Sequence, residues 1–498
     1  MSYTITKSPA FIQMPVGTDW IYSVTSSNIS NYKFKFFVDV YFGPVGGQFR
    51  VRLKFSPNAY GAGIINLSDI FEQYLSPTHL GSTFTGIESS FKGVDNVDGT
   101  ACPIHAIDKV SLNTHNMGKG TLGFGEEYSA NATDAPTEYP LLQFATGLLA
   151  WNGMAYNNEP KRTGIGQYGI SLTDWNDYDY IVNDWDKNAL TNASAYGPYG
   201  TSPTRRPHNG GQLLRQGDGV KTFGDYHTLA FLNGAFDEGS TDATTVLFEF
   251  YDAGLFYINK FEYDLTAANG AYPIPFTTYI GDGRQGLQFI GVGPANIVQA
   301  GGTFPVGTNS YTVYLTKGPG TISSRPYIFW LQDNPMPTSN VEGDCKGYER
   351  IRLTWLNKFG VWDYYNFTKK NIRSTAIKRT HFNQVKGDWN SEFFTKEGYD
   401  RGLTTLHTNL TEKITLNSDW FNNDEEAKWM EELFISPLVY ILEPATSPSA
   451  GTPAEYGDFL TPVQITNKEY VRYTRANDKV AQYEVEIEYS INKRVQRA

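Results

Sequence analysis

The glycine spacing at residues 164–169 is the first pattern in this chain that could carry chemistry. Gly164, Gly166 and Gly169 form a G-x-G-x-x-G sequence. A dinucleotide site needs a strand before such a loop and a helix after it, because the helix N-terminus faces the pyrophosphate. Residues 171–174, which follow the glycines, show no helical pattern of apolar side chains. The sequence therefore favours a plain glycine loop, and we assign no cofactor.

The acidic and aromatic stretch 174–186 offers carboxylate oxygens that could bind calcium. Asp174, Asp177 and Asp179 alternate with aromatic and amide side chains. The stretch lacks the central glycine and the distal glutamate of an EF-hand loop. We favour a solvated loop here and assign no metal, with calcium binding left open as the alternative.

The residue patterns of hydrolytic enzymes do not occur in this sequence. The seven histidines never form the close helical pair of a zinc protease, and there is no G-x-S-x-G nucleophile elbow. We therefore assign no catalytic residue, although two carboxylates brought together from distant loops, as in glycosidases, remain possible. Loop aromatics such as Trp175, Tyr196 and Tyr199 could stack on sugars, but packing in the core or against another subunit is favoured.

Charge and cysteine content narrow the class of protein. The formal net charge is −11, which disfavours a direct nucleic-acid binder. The two cysteines, Cys102 and Cys345, cannot form a disulfide framework and favour buried thiols in a reducing compartment. No apolar run reaches the length of a membrane span, and residues 1–9 lack the apolar core of a signal peptide, so we expect no membrane insertion.

Alternation of apolar and polar residues predicts strands at both ends of the chain. Residues 32–41 and 49–55 alternate on either side of the glycine-rich turn 43–47, which predicts a long hairpin. Near the C-terminus, residues 483–489 place Val485 and Ile487 on one face and glutamates on the other. We expect residues 469–473 to be the partner strand in a terminal hairpin.

The remaining regular patterns lie between these ends. Residues 351–356 and 361–367 predict two strands joined by a turn, and residues 413–416 predict a further strand. Residues 424–434 predict the one clear helix, with acidic residues in its first turn and an apolar stripe that includes Met430 and Leu433. Residues 247–251 and 311–315 also predict strands, within a middle region rich in Gly, Asn and Tyr.

Together these patterns predict a mostly β fold made of several domains. We expect β-sandwich or barrel-like domains with few short helices and one loop-rich inserted β domain. The predicted domains are an N-terminal β domain at 1–110, the loop-rich insertion at 111–340, a β domain with the helix at 341–445, and a C-terminal hairpin at 446–498 that packs on the preceding domain.

Several segments resemble those of a family of virion proteins. They are NYKFKFFVDVY at 31–41, RLKFSPN at 52–58, GAGIINLSDI at 61–70, YERIRLTWLNKFGVWDYYNF at 348–367, FISPLVY at 434–440 and the run 483–497. They resemble structural proteins from the tail, hub or baseplate of crAss-like and related tailed phages of Bacteroidetes and marine hosts. The resemblance covers both ends of the chain and not the glycine-rich middle.

The resemblance implies a structural subunit of the virion, assembled in the host cytoplasm. It implies a homo-oligomeric ring of six or twelve copies that contacts other tail or connector proteins. Burial of apolar and aromatic area would hold the copies together, and the candidate interface residues are Phe34, Phe36, Trp355, Trp362, Tyr364, Tyr483, Val485 and Ile487. A receptor-binding appendage that recognises a host surface glycan, or a polysaccharide-degrading tail enzyme, are the alternatives.

Overall fold

The structure is a computed structural model, and strands dominate it. It describes residues 3–9, 13–17, 19–43, 48–75, 117–154, 213–215, 225, 227–233, 245–264, 286–294, 297, 302–316, 327–332, 348–357, 360, 362–398, 402–421, 424–442, 460–470 and 481–490. Twenty-two strands and two helices are found in these residues, which confirms the mostly β fold with few short helices.

The elements follow one another along the chain as follows. The strands are β1 (Tyr3–Lys7), β2 (Gln13–Pro15), β3 (Ile21–Ser26), β4 (Tyr32–Gly43), β5 (Phe49–Phe55), β6 (Ala62–Asn66), β7 (Met117–Ser129), β8 (Thr137–Trp151), β9 (Leu213–Arg215), β10 (Thr228–Asn233), β11 (Thr245–Tyr251), β12 (Tyr257–Asp264), β13 (Gly286–Gly291), β14 (Ser310–Thr316), β15 (Tyr327–Gln332), β16 (Ile351–Leu356), β17 (Trp362–Phe367), β18 (Asn371–Asn383), β19 (Leu403–Asn417), β20 (Val439–Leu442), β21 (Leu460–Ile465) and β22 (Glu484–Tyr489). The helices are α1 (Ser68–Glu72) and α2 (Asp424–Ile435), and α2 confirms the helix predicted at 424–434.

The chain divides into two compact units. Unit 1 contains Met1–Met336, Trp355–Tyr365 and Pro444–Phe459, and unit 2 contains Pro337–Thr354, Asn366–Glu443 and Leu460–Ala498. The boundary predicted at residue 110 therefore lies inside one unit. The C-terminal residues 460–498 share a unit with much of the region predicted as the preceding domain.

One five-stranded sheet of unit 1 explains why no boundary falls at residue 110. Its order is β2-β8-β7-β4-β5 among the described strands. The predicted hairpin of β4 and β5 is present, with Phe36 opposite Phe55. The other edge of β4 pairs with β7, because a central strand needs hydrogen-bond partners on both sides. The sheet thus joins segments that the sequence placed in two different domains.

A second sheet, of order β1-β3-β6, packs on the apolar face of this sheet. Phe36 is fully buried, and its ring lies 5.9 Å from that of Tyr3 on β1. Tyr22 on β3 contacts Phe124 on β7, with ring centroids 5.3 Å apart. Gly63 on β6 allows this approach, because a Cβ built there would lie 2.4 Å from the Phe36 ring. The contacts make a two-layer β core in unit 1.

The opposite face of the five-stranded sheet carries a ladder of charges across four strands. Arg52 on β5 makes a bidentate contact with the buried Asp39 of β4, at 2.6 and 2.7 Å, and reaches Glu138 of β8 at 2.6 Å. Lys54 donates to Glu127 of β7 at 2.6 Å and to Glu138 at 2.8 Å. The hydrogen bond from Lys54, followed by the charge of Arg52, lowers the pKa of Glu138 from its ordinary value. Glu138 of β8 therefore binds both cations of β5 across the two strands that lie between them.

A second five-stranded sheet of unit 1 confirms two strands predicted in the middle region. The described strands have the order β12-β11-β14-β15-β9, and β10 pairs separately with β13. Phe250 of β11 lies opposite Tyr311 of β14, and both side chains are buried. Glu249 is also buried, where it accepts a hydrogen bond from the Tyr251 hydroxyl at 2.8 Å.

The seven-stranded sheet has the order β17-β16-β20-β21-β22-β19-β18 in the described residues. The register predicted for the terminal strand is confirmed: Val485 and Ile487 are buried, whereas Glu484 and Glu486 are exposed. The partner predicted at 469–473 is wrong where it is described, because Glu469 and Tyr470 are not in a strand.

The flanking strands of β22 are β21 and β19 instead. Ile487 lies opposite Ile414 of β19 on one side and Ile465 of β21 on the other. Helix α2 contacts this region at Tyr483, whose hydroxyl donates to Glu431 of the helix at 2.8 Å and whose ring lies 5.9 Å from that of Phe434. β21 contains Pro462, a residue depleted in central strands, which explains why the sequence did not predict it.

Ile487→Asp is expected to destabilise the protein by about 3–5 kcal/mol, because it buries an unpaired carboxylate among aliphatic side chains. Urea unfolding followed by circular dichroism measures the change in the free energy of unfolding. Glu486→Gln, on the exposed face of the same strand, is the control and should stay within about 0.5 kcal/mol of wild type. Similar losses in the two variants would contradict the register.

Glu138→Gln is expected to make the melting temperature less sensitive to acid. The pKa of Glu138 is lowered in the fold below its ordinary value of 4.5, so its stabilisation is complete above that pH and is lost as pH falls through the lower folded pKa. The variant should melt at a lower temperature than wild type near neutral pH, and its melting temperature should fall less between about pH 6 and pH 3. Glu484→Gln, an exposed carboxylate of another sheet, is the control and should retain the slope of wild type.

Candidate functional site

The eight residues predicted as an interface lie in the core of the single chain. Their exposed fractions range from 0% to 8% for Phe34, Phe36, Trp355, Trp362, Tyr364, Tyr483, Val485 and Ile487. Tyr364, for example, contacts the ring of buried His227 at 4.6 Å. Side chains already enclosed by their own chain add no area to an interface, so the surface open to a partner lies elsewhere.

Several other sequence predictions fall outside the described residues. They are the glycine loop 164–169, the acidic stretch 174–186, the loop aromatics Tyr196 and Tyr199, and the cysteines Cys102 and Cys345. Within the described ranges, no group of three or more His, Cys, Asp or Glu side chains is placed to hold a metal ion. The described helices include none that is long and apolar enough to span a membrane.

A two-stranded hairpin at the edge of the seven-stranded sheet is the most exposed structure in unit 2. β18 has 13 residues and β19 has 15, and they pair from Asn371–Leu416 out to Asn383–Leu403. β22 pairs only with the Lys413–Asn417 end of β19. Beyond that point the two strands pair with each other and with no other described strand. We call the strand segments 375–383 and 403–411 the ribbon, and the described residues between them, 384–398 and 402, the tip.

Polar contacts hold the base of this hairpin on unit 2. Arg373 makes a bidentate contact with Glu349, at 2.6 and 2.9 Å, and also donates to the Tyr489 hydroxyl at 3.1 Å. The hydrogen bond with Glu349 raises the pKa of Arg373 above its ordinary value. Asn371 donates to the Glu349 carbonyl, and Asn417 donates to the Lys370 carbonyl at 2.8 Å. The base is thus fixed on both strands of the hairpin.

The tip presents aromatic side chains that are held in place by local contacts. The Trp389 indole donates to the Lys386 carbonyl at 3.0 Å, and its ring lies 5.1 Å from that of Phe394. Gly387 adopts a φ of +78°, and Phe394 occupies the space that a Cβ would need there. Trp389 is nevertheless 72% exposed and Phe393 73% exposed. The tip is therefore an ordered apolar surface rather than a hydrophobic core.

The ribbon carries some exposed apolar side chains on the side of the sheet that is buried at its base. Alternate residues place Glu412 and then Leu410 of β19 on the same face as the buried Ile414, and Leu410 lies opposite Ile377 of β18. Past an irregularity in the register, Leu403 returns to this face. Ile377 is 51% exposed and Leu403 66% exposed. We call Ile377, Leu403 and Leu410 the stripe.

Unit 1 shows a smaller exposed apolar patch at one end of a sheet. Phe256 lies in the turn after β11 and is 72% exposed, and Val306 precedes β14 and is fully exposed. The Asn309 amide donates to the Tyr251 carbonyl at 2.8 Å, which brings the two connections to the same end of the sheet. The patch offers fewer apolar side chains than the hairpin of unit 2.

The sequence signal for the hairpin was weak because both faces of the ribbon are exposed. A strand with one buried face alternates apolar and polar residues, whereas residues 375–383 and 403–411 are rich in Thr and have no period of two. Only residues 413–416, whose alternate side chains enter the core, predicted a strand in this region. Absence of Gly and Pro from both ribbon segments was the remaining sign of extended structure.

The sequence matches no protein-family model and no curated protein sequence. The candidate site is therefore defined by geometry alone. An extended ribbon with a fixed base, two open strand edges and exposed apolar side chains can bind another protein by strand pairing and apolar contact.

Arg373→Ala is expected to loosen the base of the hairpin by about 0.5–1 kcal/mol, because the lost ion pair is half exposed and screened by solvent. Hydrogen exchange of the β18 amides should become about two- to fivefold faster, since local opening sets their protection. Lys396→Ala is the control, because it removes a cation from the tip and leaves the base intact. Equal exchange in the two variants would show that Arg373 does not anchor the hairpin.

Proposed function

We propose that this chain is a structural virion protein of a tailed bacteriophage, a subunit that joins further copies in a ring of the tail, hub or baseplate. The observation that supports it best is the exposed hairpin of unit 2. Its ribbon, about 30 Å long from the rise per residue of a strand, offers open edges and exposed apolar side chains. Such a structure suits assembly rather than catalysis.

An isolated ribbon lacks much of the burial that stabilises a larger sheet. A two-stranded hairpin is at best marginally stable in water, because half of its backbone groups and both of its faces remain solvated. Here every described residue of β18 except Asn371 is exposed. An edge of this length that stays open also carries a risk of unspecific pairing. A partner that covers the ribbon supplies the missing burial and removes that risk.

The setting in a phage tail comes from the resemblance of both ends of the chain to tail, hub and baseplate proteins. In a ring, one patch of each copy contacts a different patch of the next copy, and the rotation closes. An extended hairpin that reaches onto a neighbour suits such a head-to-tail contact. We therefore propose six or twelve copies in the virion, assembled in the host cytoplasm, with other tail or connector proteins as further partners.

The proposal predicts the copy number and position of this chain in phage particles. Quantitative mass spectrometry of purified particles that contain it should give six or twelve copies. Immunogold labelling in the electron microscope should place the chain at the tail. The chain would not be a ring subunit if it were missing from the particles, or if it occurred as one copy or as trimers on a fibre.

A further inference from the structure

We infer that the outer edge of β18 binds an extended acidic segment of another protein as an additional strand. The inference rests on the proposed function for its setting, because the partner is one of the further virion proteins and not a second copy. It assigns the hairpin a binding mode, strand addition, and a partner chemistry, two adjacent carboxylates beside an apolar residue. The length and regularity of the edge support the mode, and its cations support the chemistry.

The outer edge of β18 is open along its whole length. Among the described strands, β18 is the outermost of the seven-stranded sheet and pairs with β19 alone. In an antiparallel pair, alternate residues direct both backbone groups away from the partner strand, so about six of the 13 residues from Asn371 to Asn383 present an N–H and a C=O to this edge. All of β18 beyond Asn371 is exposed, whereas Thr408, Leu410 and Thr411 of β19 are partly covered. The edge available to a partner is thus that of β18.

This edge lacks most of the features by which edge strands avoid pairing. Short length, proline and bulges are common protections, and charged side chains are another. β18 has 13 residues and no proline, and the irregularity between Thr380 and His381 passes over Leu406 of β19, so β18 itself stays regular. Charge is present as Lys378 and Arg379. An edge protected by positive charge alone rejects a basic strand and stays open to an acidic one.

Lys378 and Arg379 are the cations that the edge offers to a partner. The third cation of β18, Arg373, is paired with Glu349 at the base of the hairpin. Lys378 and Arg379 are exposed, and neither side chain forms an ion pair or a hydrogen bond with a described residue. The two hairpin strands contain one carboxylate, Glu412, which lies on β19 near the base. Both cations are therefore free to pair with carboxylates of an added strand.

The side chains around these cations specify the sequence that fits the edge. Adjacent residues of a strand project to opposite faces, so Lys378 and Arg379 require carboxylates at two adjacent positions of an added strand. Ile377, the stripe residue of β18, precedes them and is 51% exposed, and Phe382 is 42% exposed and follows Arg379 by three positions. Apolar residues opposite these two complete the pattern apolar-acidic-acidic-x-x-apolar, and Ile372, 49% exposed, adds an apolar position five residues before Ile377. An added strand thus uses both faces of the hairpin.

Fluorescence anisotropy with the purified full chain and a labelled peptide tests the binding mode. The peptide VTTEEVTTTTV follows the pattern when it runs antiparallel to β18, with its glutamates opposite Arg379 and Lys378. The wild type should bind it with a Kd below about 1 mM. N-methylation of one alternate set of peptide amides should abolish binding, and N-methylation of the other set should change the Kd about threefold or less, because only one set donates to the edge.

Charge exchange tests the partner chemistry. Lys378→Glu with Arg379→Glu should weaken binding of VTTEEVTTTTV about tenfold or more, because two attractive cross-strand pairs become repulsive. The same variant should bind VTTKKVTTTTV with a Kd within about threefold of that of the wild type for the glutamate peptide, a rescue that a merely structural role of the two cations would not produce. Lys396→Glu with Lys468→Glu makes the same change in net charge at exposed positions outside β18, and this control should change the Kd about threefold or less. Circular dichroism checks that both double variants are folded.

The inference would be overturned if the wild type did not bind the glutamate peptide at about 1 mM, or if the two double variants had equal effects. Failure of the lysine peptide to bind the charge-reversed variant would overturn the partner chemistry, and equal effects of the two N-methylated sets would overturn strand addition. Sedimentation velocity covers the other partner: self-association of the wild type that is lost in the Lys378 and Arg379 variant would show that a second copy occupies the edge. The copy number in particles decides the proposed function separately from all these results.

Discussion

Backbone hydrogen bonding at strand edges is the constraint on which the rest of this structure depends. Each interior strand must find a partner on both sides, because a buried amide or carbonyl without one costs as much as a lost hydrogen bond. β4 meets this need with β5 on one edge and β7 on the other, and β22 does so with β21 and β19. In the ribbon, β18 and β19 extend beyond the last residues of β19 that pair with another described strand, β22.

The two faces of each sheet are used differently, and this difference extends into the hairpin of unit 2. In unit 1 the apolar face of β4 packs on a second sheet, while the other face pairs the buried Asp39 with Arg52. In unit 2 the face of β22 that carries Val485 and Ile487 is buried, and α2 contacts the chain on this face at Tyr483. On the ribbon the same face lacks a cover among the described residues, and Arg379 stands there beside Ile377.

Sequence patterns predicted the strands and the helix that have one apolar and one polar face. They missed the strands whose two faces are similar in polarity. The hairpin of β4 and β5, the register of β22 and helix α2 all have one apolar side, and alternation or helical spacing revealed each of them. The pairing of β7 with β4 joins residues about ninety positions apart, and no local pattern encodes such a contact. The ribbon lacked a signal because neither of its faces enters the core.

The aromatic residues predicted as an interface show a related limit of prediction from residue type. Trp355, Trp362 and Tyr364 have the composition that interfaces and cores share, so residue type alone does not tell burial within a chain from burial between chains. All three are enclosed by their own chain. Exposed aromatics occur instead at the tip, where Trp389 and Phe393 follow no strand or helix period.

The cations of the ribbon bear on how its uncovered edge avoids unspecific pairing. Edge strands in natural proteins carry charged side chains, lysine above all, because a charge on each copy opposes pairing of identical edges. Lys378 and Arg379 meet this requirement in β18, where two ribbons paired edge to edge would bring like charges together on each face of the sheet. Repulsion between like charges therefore opposes edge-to-edge pairing of identical ribbons and favours specific over unspecific contacts at this edge.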